Sequence, residues 1–160
     1  MPPITALLHT CNDALRLGRS LETLFPCDEI VVVDHGSHDA TLRTAREYGA
    51  RIIAAEPGIP LGHYLQLAHY DWIFCLEPRE SLAEGLWASL LEWKPVRPGQ
   101  EDVVAFSVFL REETPEGWLD LPEHQTRLVP RDWNRWQGFL PALEPAAVAL
   151  EGELLRFLLP

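Results

Sequence analysis

Apolar and polar positions along this chain switch repeatedly between a continuous run and a helical period. Ile4 to Leu8 is a short apolar run that predicts a strand. Thr10-Cys11-Asn12-Asp13 then supplies turn and N-cap chemistry, and Leu17, Leu21, Leu24 and Phe25 recur at helical spacing. Pro26 to Glu29 breaks that helix, and Ile30 to Val33 predicts a second strand. Asp39 is placed to cap a helix that stops at Gly49, a residue suited to the left-handed C-terminal position. Arg51 to Ala55 reads as a third strand, Glu56-Pro57-Gly58 as a turn, and Leu61, Tyr64, Leu65 and Ala68 as one face of a further helix. Trp72 to Leu76 is a fourth strand. Strands alternating with helices predict right-handed crossovers and a parallel sheet in which the fourth strand's end lies beside the first's.

The pattern changes in the second half. Ser81 with Glu84 fits a capping box for a helix to about Trp93, and Pro95 to Gly99 is a break no helix continues through. Val103 to Leu110 is a long β-type run, Glu112 to Gly117 a polar turn and Gln125 to Val129 a further strand, which predicts a mixed or antiparallel extension of the sheet. Leu150, Leu154, Phe157 and Leu158 predict a helix within Pro145 to Leu159, packed on the sheet or against a second copy, so a homo-oligomer is open. The fold class is therefore α/β: a Rossmann-type sandwich with a mainly parallel first half.

With 160 residues and 47% hydrophobic composition, the chain is expected to form one domain with a core that needs no disulfide. Cys11, Cys27 and Cys75 form no CxxC pair, and their odd number suits reduced thiols. No stretch approaches the roughly 20 apolar residues of a membrane span, and no charged segment with an apolar run opens the chain, so a cytoplasmic protein is expected. The net charge of −11 disfavours a nucleic-acid polymer as partner. A small anionic ligand remains compatible through a few arginines and helix N-termini.

Chemistry concentrates where the second strand ends. In Ile30-Val31-Val32-Val33-Asp34-His35-Gly36-Ser37-His38-Asp39-Ala40-Thr41 an apolar strand runs into an acidic Gly/Ser turn, and in an open parallel sheet ligands bind outside the carboxyl ends of the strands. Asp34 can accept a hydrogen bond from a base or ribose, and Gly36 allows close backbone approach. The plainer reading gives Asp34 and Asp39 only a capping role. His9, Cys11, His35, His38 and Asp34 gather at adjacent strand ends but lack an established zinc-ligand spacing. No paired base identifies Cys11 as a nucleophile, and no G-x-G-x-x-G marks a dinucleotide site. Trp118, Trp133 and Trp136 offer faces for a sugar ring or, more simply, core material.

Three blocks in order, Thr5 to Asp13, Val31-Val32-Val33-Asp34-x-Gly36-Ser37-x-Asp39-x-Thr41 with Ala45-Arg46-Glu47-Tyr48-Gly49-Ala50, and Asp71 to Glu80, resemble the N-terminal half of family-2 glycosyltransferases over residues 4 to 85. Thr126-Arg127-Leu128-Val129-Pro130-Arg131 resembles the family's later Arg-Leu strand. The resemblance implies a single GT-A domain over residues 1–160, with a nucleotide-binding half (1–94) and an acceptor-side half (95–160). It also implies a nucleotide-diphospho-sugar donor, a UDP-sugar favoured, and inverting transfer to an acceptor hydroxyl. Thr10, Asn12 and Asp13 fall where the family holds the nucleoside, Asp34 falls on the base-binding carboxylate, and Gly36, Ser37 and Asp39 shape that loop. With the chain ending at Pro160, little length is expected for a separate acceptor domain.

One departure stands out. The family's Asp-x-Asp, which holds a divalent cation such as manganese or magnesium on the diphosphate, is here Glu77-Pro78-Arg79. Arginine has no lone pair for a metal, so Glu77 and Glu80 are the acidic residues left there. Either the Arg79 guanidinium takes the cation's place on the diphosphate, or Arg79 pairs with Glu77 or Glu80. In the second case the domain is an inactive nucleotide or nucleotide-sugar binding module acting through a protein partner. Inversion also needs a general base, for which Glu112, Glu113, Asp120, Glu123 and His124 are the candidates, although a charge run around a turn is more simply a solvated face.

Overall fold

The computed structural model describes residues 2–93 and 103–160, so the expected break at Pro95 to Gly99 lies outside them. In chain order the elements are β1 (Ile4–Thr10), α1 (Ala14–Glu22), β2 (Glu29–Asp34), α2 (Thr41–Glu47), β3 (Arg51–Ala54), α3 (Leu61–Gln66), β4 (Trp72–Cys75) and β5 (Glu80–Leu82). They continue with α4 (Glu84–Glu92), β6 (Phe106–Thr114), β7 (Gly117–Asp120), β8 (Gln125–Pro130), β9 (Trp136–Gln137), β10 (Leu140–Pro141) and β11 (Val148–Arg156). The main sheet has the order β3-β2-β1-β4-β8-β6-β11-β5, with β7 on β6, and β9 pairs β10 apart from it.

The first half is as the periodicity predicts: β3, β2, β1 and β4 are parallel neighbours, with β1 between β2 and β4. Alternate side chains of a strand face opposite ways, which sends Ile4, Ala6 and Leu8 to one core with Leu17 and Leu21 of α1. Leu7 goes to a second core with Tyr64 and Leu65 of α3. Strands covered on both faces need apolar residues at consecutive positions, as Val31, Val32 and Val33 supply. Beyond β4 the sheet turns antiparallel through β8 and β6, the predicted extension.

The chain passes from Cys75 of β4 to Glu80 of β5, yet β8, β6 and β11 lie between those strands in the sheet. At about 4.8 Å per strand spacing, a flat sheet would separate them by roughly the full reach of five extended residues. The sheet therefore curls, bringing its far edge back toward the end of β4. That curl gathers β4, β5, β8 and β11 around one group of charged side chains.

Three expectations are corrected. The helix within Pro145 to Leu159 is instead the strand β11, parallel to β6 and antiparallel to β5. Gly152, at φ +98°, packs against the Gly85 backbone at the start of α4, a conformation and a closeness that no helix offers. The Ser81–Glu84 capping box does not form: Ser81 belongs to β5, and its hydroxyl donates to the Arg19 carbonyl oxygen. The polar turn at Glu112 to Gly117 shrinks to its last residues, because β6 continues to Thr114 and returns as β7.

Candidate functional site

The seven residues expected to hold the nucleoside form one hydrogen-bonded unit joining the β1–α1 and β2–α2 loops. The Asn12 amide donates to Ser37 Oγ at 2.9 Å, and the His38 amide donates back to Asn12 Oδ1 at 2.7 Å. The Asp13 amide donates to Thr41 Oγ1 at 2.9 Å, and Asp39 accepts from the amides of Thr41 and Ala14, tying together the starts of both helices. Asn12 adopts φ +55° and Gly36 φ +87°, so both loops turn through left-handed conformations.

Asp34 is the hub of this unit. Its Oδ1 accepts from Thr10 Oγ1 at 2.8 Å and Ser37 Oγ at 2.5 Å, and its Oδ2 accepts from the amides of Ser37 (2.9 Å) and Gly36 (3.2 Å). Burial opposes the carboxylate's charge, but the bonds from Ser37, Thr10 and Gly36 outweigh it and hold the carboxyl below its ordinary value. Four donors match the four lone-pair sites of a carboxylate. Asp34 is thus placed at the strand end where the sequence puts it, with its acceptor capacity engaged by the loop it organises.

Across β1, the segment leaving β4 carries alternating charge. Arg79 Nε donates to Glu77 Oε2 at 2.6 Å, so the Arg79–Glu77 pair anticipated as one alternative is formed. Glu80 is fully buried and takes two bonds from the equally buried Arg127 of β8, at 2.6 and 2.9 Å. It also accepts from Arg156 of β11 and from the Glu77 amide. Burial works against the Glu80 charge and Arg127 more than restores it, so its carboxyl lies below the usual range. Arg156 extends the group to Glu77 (3.7 Å) and Glu112 (3.5 Å). Three carboxylates and three guanidinium groups therefore balance, and among the described residues no set of three or more His, Cys, Asp or Glu is arranged to hold a metal ion.

Between these two groups lies a cleft of about 410 Å³ lined by His9, Asp13, Arg16, Leu76 to Arg79 and the β9–β10 hairpin from Gln137 to Leu140. Arg16, 3.6 Å from Asp13, and Arg79 both line the cleft, giving it two cationic side chains that are 35% and 39% exposed. In the sequence, His9 lacks an established zinc-ligand spacing. It is buried, its Nδ1 lies 2.8 Å from His35 Nε2, and the Phe139 ring stacks on it at 4.6 Å with a 12° interplanar angle. Burial and then the neighbouring His35 push His9 down to about 4, so the imidazole is neutral at ordinary pH.

The general-base candidates scatter. Glu112 joins the charge group at the cleft through Arg156. Glu113 accepts from the Leu158 amide, and Asp120 pairs with Arg111 at 2.8 Å. Glu123 and His124 line a separate cavity with Glu144 and Leu143. Of the tryptophans, Trp133 is core, Trp136 packs beside it, and Trp118 stands edge-on to Phe157. The three cysteines are free, with burial pushing Cys27 and Cys75 up to about 12. No helix among the described residues is long and apolar enough to cross a membrane.

Comparison with known proteins agrees with this architecture. No protein-family model matches the chain. It is 33% identical over 93 residues to an uncharacterized glycosyltransferase of Rickettsia felis, covering 54% of this chain and 32% of that protein. It is 34% identical over 94 residues to the TPR repeat-containing protein Synpcc7942_0270 of Synechococcus elongatus, covering 56% and 22%. The chain thus spans a third or less of the curated relatives it matches. Among solved structures it resembles a mycobacterial protein (TM-score 0.51, 21% identity, 71% of this chain and 42% of that one). It also resembles glucosyl-3-phosphoglycerate synthase from Mycobacterium tuberculosis in complex with Mn2+, uridine diphosphate and phosphoglyceric acid (TM-score 0.50, 19% identity, 72% and 45%). The fold is that of the GT-A glycosyltransferases. The blocks Thr5 to Asp13 and Asp71 to Glu80 contribute Asp13, His9 and Leu76 to Arg79 to the cleft, and the β9–β10 hairpin supplies the rest of its lining together with Arg16.

Proposed function

We propose that this chain is a glycosyltransferase domain whose cleft takes a nucleotide-diphospho-sugar, a UDP-sugar in first place, with the diphosphate on Arg79. The observation that carries this reading is that Arg79 and Arg16 line one cleft, so a diphosphate there meets two guanidinium groups; the Arg79–Glu77 pair is the arrangement anticipated for the inactive module and counts toward the second reading below. The carboxylate at the metal position is already neutralised by a guanidinium, so the positive charge a diphosphate requires comes from the chain itself. A planar guanidinium offers paired hydrogen bonds to phosphate oxygens, and in a partly desolvated cleft it stabilises the charge that develops on the leaving group. Glu77 is then the partner that holds Arg79 in place, and manganese or magnesium is dispensable.

In the transfer step, a base removes the proton of an acceptor hydroxyl as its oxygen attacks the anomeric carbon. The bond to the diphosphate breaks on the opposite side, and the nucleoside diphosphate leaves with inversion. Glu112 is the base candidate this reading retains, because Arg156 ties it to Glu77 at the cleft. Its engagement by Arg156 also favours the second reading, a nucleotide-sugar binding module that transfers nothing and acts through a protein partner. The two part on product formation. Incubation with UDP-sugars, a panel of hydroxyl acceptors and EDTA should release UDP in an Arg79-dependent manner; tight binding of the donor with no UDP released under any condition selects the binding module.

A further inference from the structure

The two guanidinium groups of the cleft stand on different elements, Arg16 on α1 and Arg79 on the segment that enters β5. One phosphate can be met by either arginine alone. A diphosphate presents two linked groups and is met fully only when both arginines are held at a matching separation. Whatever fixes α1 against the Arg79 segment therefore sets how well the cleft tells the two anions apart.

Phe157 is bonded to both. It directly follows β11, and its amide donates to the Arg79 carbonyl oxygen at 3.0 Å, extending by one residue the ladder in which Arg156 pairs with Glu80. Its ring is partly buried yet belongs to neither apolar core. The Arg19 guanidinium of α1 lies over the ring, 3.8 Å from its centroid, an attractive placement for a cation on an aromatic face, and Trp118 of β7 stands edge-on at 5.4 Å. Arg19 also donates to the Leu159 carbonyl oxygen at 2.9 Å, so the chain beyond β11 is tied to α1 twice. Arg19 is about one helical turn from Arg16. The other bonds between α1 and this region, from Ser81 Oγ to the Arg19 carbonyl oxygen and from the Leu82 amide to Thr23 Oγ1, attach beyond Arg79, whereas Phe157 holds Arg79 itself.

Resting on the donor reading above, we infer that Phe157 is a positioning residue: by clasping Arg19 with its ring and Arg79 with its amide, it fixes Arg16 and Arg79 at the separation of two linked phosphates. It does not line the cleft and acts only through the two arginines. Its contribution is therefore to the preference for a diphosphate over a monophosphate rather than to the hold on any one phosphate, and it depends on an aromatic face rather than on apolar bulk.

The test is calorimetric titration of UDP and UMP into the wild type, Phe157→Leu and Phe157→Tyr, with thermal unfolding as the control for folding. The base and first phosphate are common to both ligands, so the ratio of their affinities reads the second phosphate. The wild type should prefer UDP at least tenfold. Phe157→Leu should cut that preference at least fivefold with UMP binding unchanged, and Phe157→Tyr, which keeps the aromatic face, should retain it. Should Phe157→Leu not fold, Arg19→Met breaks the same contact from α1 and carries the same expectation in high salt, which screens its missing charge. An unaltered preference in the folded variant, equal losses for UDP and UMP, or a loss in Phe157→Tyr as large as in Phe157→Leu overturns the inference while the donor reading stands. If the wild type does not bind UDP, the donor reading itself falls.

Discussion

Glu80 and Arg127 meet through two parallel hydrogen bonds, 2.6 and 2.9 Å long, with neither side chain more than 1% exposed. Removing one partner strands a buried charge, which typically costs ~3–5 kcal/mol. Glu80→Ala and Arg127→Ala should each lower unfolding free energy by about that much in urea titrations. The double substitution should cost clearly less than the sum, since each single change already exposes the other's unpaired charge.

Asp34 anchors two loops through four bonds, and hydrogen bonds to charged groups are worth ~1.5–3 kcal/mol each in favourable cases. Asp34→Asn keeps the volume but gives up the charge and turns one acceptor oxygen into a donor. Denaturant unfolding should show a loss of about 2 kcal/mol. Amide exchange should rise at Gly36, Ser37 and Thr41 while that of β4 is unchanged.

His9 imposes a pH dependence. Its value falls from 6.5 in the free side chain to about 4 in the fold, so between those values the unfolded chain binds a proton that the folded chain excludes. Stability is therefore complete above about pH 6.5 and declines as pH falls toward 4, by up to ~3 kcal/mol. Asp34 and Glu80, held low, add their losses further into acid as each is protonated. His9→Phe should flatten the urea-midpoint profile between pH 6.5 and 4; an unchanged slope there contradicts the buried neutral imidazole.

At Gly152 the backbone is left-handed, and a Cβ would overlap the Leu86 amide nitrogen and the Gly85 carbonyl carbon. A strained φ alone costs ~1–3 kcal/mol, and here β11 would also have to part from α4. Gly152→Ala should be among the most destabilising exchanges in the chain, readable as a loss of several degrees in thermal unfolding. Gly58→Ala, also left-handed but with nothing near its Cβ, should cost only the smaller conformational penalty.

How much of this was legible in the sequence follows from what each signal measures. The parallel half was readable because Val31 to Val33 and Trp72 to Leu76 are buried on both faces, and Gly36 and Gly49 mark real left-handed turns. β11 was not: Leu150, Leu154 and Phe157 fall at helical spacing, and only Gly152 signalled that the stretch bends as a bulged strand. Ser81 and Glu84 have capping-box spacing, yet pairing with β11 claims Ser81 for a strand, a tertiary effect no local motif reveals. Around the cleft, Asp34 was legible from its strand-end position and Thr10, Asn12 and Asp13 only through the family resemblance, and of these four it is Asp13 that lines the cleft. The importance of Glu80, Arg156 and Phe139 depends on the curl of the sheet and on a hairpin far along the chain. His9 was visible, but its burial against His35 and Phe139 belongs to a geometry that only the folded chain has.

The central claim, that Arg79 supplies the charge a divalent cation would otherwise bring to the diphosphate, is tested most directly by titrating UDP into the wild type and Arg79→Ala, each with EDTA and with manganese. Binding to the wild type should be the same in both media and should fall at least tenfold in Arg79→Ala. Binding that requires manganese and is indifferent to the loss of Arg79 would contradict the account.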